Sequence, residues 1–120
     1  MAMDEHENGR NYAQYYVDYA IMREEQRKIL ENISSLIEQL KLDIIENEKI
    51  TSIFLETANT FDESNDVVDL TNSISELYKY FRNSNLPKTR DEFEDRARLF
   101  TILSYFESFL ELKREFYINH

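Results

Sequence analysis

The chain has 120 residues, enough for one domain with a core of its own, and 32% of them are charged. It contains no cysteine, which excludes disulfides and thiolate metal sites. Its net charge of −10 opposes binding to nucleic acids and membrane surfaces, because these carry negative charge themselves.

The N-terminal segment is acidic and lacks the basic and apolar regions of a signal peptide. We expect residues 1–10 to be disordered and residues 11–120 to form a single helical domain. The longest apolar-rich run, from Leu99 to Leu112, is too short and too polar to span a bilayer. The expectation is therefore a cytoplasmic protein that does not contact the membrane.

The first predicted helix runs from about Asn11 toward Phe61, because no glycine or proline lies between Arg10 and Leu86. Five of its apolar residues recur at steps of three and four, a spacing typical of amphipathic and coiled-coil helices: Leu30, Ile33, Ile37, Leu40 and Ile44. The pattern weakens over residues 46–49. The helix therefore either continues through this point or breaks near residue 48.

The second predicted helix follows a polar turn at residues 62–66, whose side chains compete for backbone hydrogen bonds. It ends before Pro87, because proline disfavours helical geometry in the residue that precedes it. One face carries its apolar residues: Val67, Leu70, Ile74, Leu77 and Phe81.

The third predicted helix begins with Thr89 and Glu92, which have the spacing of a capping box, and continues to about Ile118. Its predicted core face consists of Leu99, Leu103, Phe106, Phe109, Leu110 and Tyr117, with Phe93, Ala97, Ile102 and Phe116 beside it. Together these patterns predict an all-α fold, a small and partly coiled-coil-like helical bundle. It has three long helices, or four if the first one breaks.

Residues suited to catalysis are few. The histidines are His6 and His120, one near each end of the sequence, and the single glycine is too little for a loop that cradles phosphate. The Glu-x-x-His pairs of di-iron bundles are absent. We expect no enzyme activity, no cofactor, no metal and no small-molecule substrate.

A row of tyrosines and arginines near the N-terminus is the candidate partner interface. Tyrosine and arginine are enriched at interface hot spots, and a tyrosine ring suits a surface that is alternately wet and buried. Helical spacing places the tyrosines on one face and continues it with arginines: Tyr12, Tyr15, Tyr16, Tyr19, Arg23 and Arg27. We predict that this face contacts a protein partner or a second copy of the chain, and the alternative interpretation is an edge of the chain's own core.

An acidic patch is the second candidate site. Eight carboxylates lie between residues 43 and 69: Asp43, Glu46, Glu48, Glu56, Asp62, Glu63, Asp66 and Asp69. They form either a solvated surface or an anionic site for a basic partner.

Two functions follow from these candidate sites. The first is a non-catalytic protein–protein interaction module, an adaptor or assembly subunit. The alternative is an acidic phage-type inhibitor that mimics nucleic acid and blocks a basic DNA- or RNA-binding protein. In neither case does the chain itself bind nucleic acid.

Overall fold

Four helices account for most of the chain. The computed structural model describes the backbone of residues 5–41, 44–59 and 68–120 and the side chains of residues 11–41, 45–59 and 68–120. The helices are α1 (Glu5–Glu38), α2 (Ile44–Asn59), α3 (Val68–Asn83) and α4 (Arg90–Asn119), and the described residues include no strand. The predicted all-α bundle is confirmed, in its four-helix form.

The limits of the first helix differ from the prediction at both ends. The helix begins at Glu5, six residues before the predicted start, and residues 1–4 lie outside the described residues. Disorder of residues 1–10 stays a prediction. It ends at Glu38, well before the predicted weak point at residues 46–49. That point instead belongs to the first turns of α2, where the carboxylate of Glu46 suits the positive end of the helix dipole.

The chain leaves α1 through a tightened last turn. The amides of Gln39 and Leu40 bond to carbonyls three residues back, at 3.0 and 3.1 Å, in place of the α-helical bond to the fourth. The amide of Lys41 then donates to Asp95 Oδ2 of α4 at 3.2 Å. This contact places the end of α1 beside the beginning of α4.

The helices pack as antiparallel neighbours. α1 packs along α4, α3 packs against both α4 and α2, and the molecule measures 66 × 23 × 18 Å. Its radius of gyration of 18.2 Å exceeds the roughly 14 Å of a compact 120-residue domain. The reason is length: α1 and α4 have 34 and 30 residues, whereas α2 and α3 have 16 each.

The predicted cap of α4 is confirmed. Thr89 is extended at the N-cap, and its Oγ1 accepts from the amide of Glu92 at 3.1 Å. In a capping box, the Glu92 side chain would accept from the amide of Thr89. Here Glu92 Oε2 accepts instead from the amide of the preceding residue, Lys88, at 2.7 Å. The first bond satisfies one of the backbone donors that a helix start leaves without an intrahelical partner, and the second fixes the residue just before the N-cap.

The core joins residues from all four helices. Ile33, Ile50 and the predicted faces of α3 and α4 supply it, and Ile102 and Phe116 of α4 are buried as well. Tyr117, however, is 39% exposed, although it lies two heptads after Leu103.

Other predicted core positions fall outside the core or outside the described side chains. Phe93 is 66% exposed in the first turn of α4, and Ala97 is exposed on the next turn. Leu30, Ile37 and Leu40 are partly buried against the core, whereas the side chains of Ile44 and Val67 lie outside the described residues.

Candidate interaction surface

One end of the molecule is an elongated pair of helices. We call residues 11–27 of α1 together with residues 109–119 of α4 the arm. The helices of the arm are antiparallel: Tyr19 lies against Phe116, whereas the end of α1 contacts Asp95, at the start of α4. The predicted interface residues all lie on the arm.

Aromatic side chains hold the tip of the arm together. The ring of Tyr15 lies 5.2 Å from that of Phe116 and 5.4 Å from that of His120, and the ring of Tyr19 lies 5.5 Å from that of Phe116. His120 Nε2 also lies 3.0 Å from Asp18 Oδ2. Tyr15 and Tyr19 therefore face α4 of their own chain.

Two tyrosines of the same row point elsewhere. Tyr12 is 65% exposed and Tyr16 is 53% exposed. Their rings meet edge to face at 4.9 Å, and their hydroxyl oxygens are 3.0 Å apart. The predicted single face of tyrosines is thus divided at the edge of α4, and only this pair remains on the outer surface.

A buried amide marks the base of the arm. Gln26 has no exposed surface, and its Nε2 donates to the carbonyl of Phe109 at 3.0 Å. Arg23 donates to Gln26 Oε1 at 2.8 Å and to the hydroxyl of Tyr19 at 3.0 Å. Arg23, predicted as an interface residue, is thus half-buried. It bonds to Gln26, which in turn bonds to the backbone of α4.

The other predicted arginine lies on the outer side of α1 in an ion-pair group. Arg27 bonds to Glu24 at 2.6 Å and to Glu31. The hydrogen bond from Arg27 lowers the pKa of Glu24, and the two carboxylates raise the pKa of Arg27. The group covers two turns of exposed helix with charges that neutralise each other in part.

The surface of α1 before this group is almost without charge. Asp18 is the only charged residue among residues 11–22, and it bonds to Gln14 as well as to His120. Helical spacing places six exposed residues on its outer side, which we call the arm face: Tyr12, Ala13, Tyr16, Val17, Ala20 and Ile21. Val17 and Ile21 are 52% and 53% exposed. Apolar side chains usually lie on the face of a helix that packs against the core, so their exposure here is unusual.

The sequence interpretation overlooked most of the arm face. It followed the phenols and so found Tyr12 and Tyr16, but it did not include Ala13, Val17, Ala20 or Ile21. The signal that would have identified them is the run of twelve residues with a single charge in a chain that is 32% charged.

The described members of the acidic patch lie at separate places on the molecule. Glu48 and Glu56 line a groove of about 360 Å³ between α2 and α3, across from Glu76. Glu46 lies at a different groove, at the end of the bundle near Lys41 and Lys88, and Asp69 is exposed in the first turn of α3. The side chains of the other predicted members, Asp43, Asp62, Glu63 and Asp66, lie outside the described residues.

Two features associated with other functions are not found among the described residues. No group of three or more histidine, aspartate or glutamate side chains there could hold a metal ion. None of the described helices combines the length and apolarity needed to cross a bilayer.

Comparison with known proteins gives a family. A model described as "Putative aromatic acid exporter C-terminal domain" matches residues 1–114. An uncharacterized protein of Bacillus subtilis (strain 168), YqjA, is 27% identical over 105 residues, which cover 88% of this chain and 33% of that protein. The chain thus spans about a third of the length of this relative, and no solved structure matches it. Because the family match extends over residues 1–114, the chain belongs to the family of the putative aromatic acid exporter C-terminal domain.

Proposed function

We propose that the chain is a non-catalytic helical module that acts by protein–protein contact through the arm face, as an assembly unit of an exporter-type system. The family description supports an association with exporters, since it names the C-terminal domain of such proteins. A relative three times as long supports a role as one part of a larger protein. A cytoplasmic position, expected from the sequence, belongs to the same proposal.

The observation that carries this proposal is the exposure of the arm face. Four of its side chains are each more than half exposed: Tyr12, Tyr16, Val17 and Ile21. Their exposed area is roughly 400–500 Å², near the upper end for a surface patch on a monomeric protein. Burying such a surface against a partner is favourable, at about 25 cal/mol per Å² of apolar area.

Charge gives a second reason why contact would occur here. The arm face has no ionisable group other than phenols, whereas the chain as a whole carries −10. A partner that packs on the arm face therefore avoids the desolvation of charged groups, which is costly at the centre of an interface. The acidic patch offers no comparable surface, since its described members divide between separate grooves.

Photo-crosslinking tests the proposal. A benzophenone side chain is introduced at position 17 of the full chain, in the cells the chain comes from, and the products are separated on denaturing gels. The matched control carries the same group at Asn32, which is exposed on the polar half of α1.

We expect crosslinked protein from position 17, little from position 32, and loss of the position-17 product when Ala20 is replaced by glutamate. Ala20→Glu places a charge in the arm face without removing a core side chain. Equal yields at the two positions, or none at position 17, would contradict a role in contact.

A further inference from the structure

We propose that the arm face binds a second copy of the chain, with the two α1 helices antiparallel and the two-fold axis between Tyr16 and Val17. This inference rests on the proposed function, because it names the partner of the same surface. Three properties of the arm face lead to it: the positions of its small residues, the distribution of charge along α1, and its area.

The small residues fit a close antiparallel pair. Ala13 and Ala20 are seven residues apart, so both lie on the same side of the helix, at the centre of the arm face. Around the proposed axis, Ala13 of one copy lies opposite Ala20 of the second, and Tyr16 lies opposite Val17. Small side chains at the contact let helix axes approach toward the lower end of the usual 8–10 Å, while the larger pair fills the space beside them.

The flanking residues follow the same symmetry. Tyr12 of one copy lies at the same level as Ile21 of the second, but nine residues place these two side chains on opposite edges of the arm face, so they border the contact on either side. The centre of the arm face meets the same centre on the second copy. A two-fold interface is self-complementary in this way, since the same patch serves both subunits.

Charge favours the antiparallel direction over the parallel one. In a parallel pair, Glu24, Arg27 and Glu31 of one copy would face the same residues of the other, so like charges would meet at every turn. In the antiparallel pair, the charged half of each α1 extends past the arm face of the other copy. The two bundles, each strongly acidic, then lie at opposite ends of the dimer.

The area of the arm face sets the expected stability of the dimer. Two arm faces would bury at most roughly 800–1,000 Å² in total, which is below the roughly 1,200–2,000 Å² of stable specific interfaces and in the range of weak, transient contacts. The isolated chain should therefore exchange between monomer and dimer, with dimers prominent at about 100 µM and monomers at about 1 µM. In a longer protein, tethering of the module would raise its effective concentration.

Cysteine crosslinking tests both the partner and the direction, because the chain has no cysteine of its own. The variants Ala13→Cys and Ala20→Cys are oxidised separately and as a mixture. In the proposed dimer, position 13 of one copy faces position 20 of the second. Position 13 of one copy is about 10 Å along the helix axis from position 13 of the second, and the same holds for position 20, which is too far for a disulfide.

We expect a crosslinked dimer from the mixture at least ten times more abundant than from either variant alone, and none from Asn32→Cys. Both substituted alanines are exposed, so the folded state should persist, which circular dichroism would verify. Dimers from each variant alone and none above that level in the mixture would indicate parallel helices and overturn the proposal.

Small-angle X-ray scattering tests the arrangement of the two copies independently. Antiparallel overlap of the arms predicts a maximum dimension of about 95 Å at high concentration, because residues 5–28 of the two helices overlap over about 36 Å. One copy measures 66 Å. Ala20→Glu should restore the shorter dimension at the same concentration, and Asn32→Glu should not.

Failure of this inference differs from failure of the proposed function. If the purified chain remains monomeric at 100 µM and the cysteine mixture gives no dimer, the second copy is excluded as the partner. The proposed function would then still stand if position 17 crosslinks to another protein in cells, and would fall with it if position 17 crosslinks to nothing.

Discussion

The buried amide of Gln26 provides a sharp test of how the arm joins the bundle. We consider the replacement of Gln26 by leucine, which has a similar volume but cannot form hydrogen bonds. The substitution removes the bond to the carbonyl of Phe109, at 3.0 Å, and the bond from Arg23, at 2.8 Å. Gln26 is fully buried, so water cannot take its place without opening the α1–α4 contact.

The expected cost follows from these two bonds. Each contributes about 0.5–1.5 kcal/mol net, so their loss costs about 2 kcal/mol. Leucine regains part of this through its larger apolar surface, on the order of 1 kcal/mol. Gln26→Leu should therefore lower the free energy of unfolding by about 1 kcal/mol. Gln26→Ala adds a cavity and should lower it by about 2–4 kcal/mol.

Urea unfolding followed by circular dichroism at low micromolar concentration measures these differences, with the chain mainly monomeric. Gln39→Leu is the matched control, because Gln39 is exposed and its substitution should change stability by less than about 0.5 kcal/mol. A Gln26→Leu protein as stable as the wild type, or more so, would show that the two bonds contribute no net stability. The explanation for a buried glutamine at this position would then be wrong.

Three other substitutions test separate parts of the structure. Thr89→Ala removes the N-cap bond of α4 and should cost about 1 kcal/mol in urea unfolding. Phe106→Ala opens a cavity in the core and should cost about 3–5 kcal/mol, and a loss below 1 kcal/mol would place Phe106 outside the core. Burial and the Glu107 carboxylate raise the pKa of Tyr78, so its neutral form stabilises the fold at pH 8 and this contribution is lost as the pH rises through the raised pKa. The urea midpoint should accordingly fall more between pH 8 and pH 11 for the wild type than for Tyr78→Phe, and equal falls would contradict this.

Most of the fold follows from local patterns in the sequence. The spacing of Leu70, Ile74 and Leu77 identified the buried face of α3, because the same periodicity that makes a helix amphipathic also decides which side is buried. The start of α4 followed from Thr89 and Glu92, since a cap acts through neighbouring backbone groups and needs no tertiary contact.

The turn between α1 and α2 was not predictable in the same way. Residues 39–43 contain no glycine or proline, and Leu40 continues the apolar spacing of α1. Residues 39–41 leave α1 through a short tightened segment and a bond from Lys41 to Asp95, a residue 54 positions away. A contact across that distance leaves no local signal, so the sequence offered residues 46–49 as the candidate break and not residues 39–43.

The division of the tyrosine row was not predictable for a related reason. Helical spacing placed Tyr12 and Tyr16 in one row with Tyr15 and Tyr19, but spacing alone does not say where a neighbouring helix will cover that row. The edge of α4 passes between the two pairs, because Phe116 and His120 occupy the side of Tyr15. Only tertiary structure separates the pair that packs within the chain from the pair on the arm face.

The two ends of the molecule are stabilised by different contacts. For this reason, binding of a second copy is coupled to formation of the arm. The bundle end buries the cluster around Leu103 and Phe106. The arm beyond Gln26 and Phe109 buries a smaller set of apolar side chains: Met22, Leu110 and Phe116. Local opening requires least free energy where few apolar contacts are buried, so the arm should open more readily than the bundle. A second copy bound to the arm face adds buried surface only when the arm is formed, and it therefore shifts the equilibrium toward the ordered arm. Assembly and ordering of the arm are then a single coupled equilibrium, in which a rise in local concentration stabilises the very helices that make the contact.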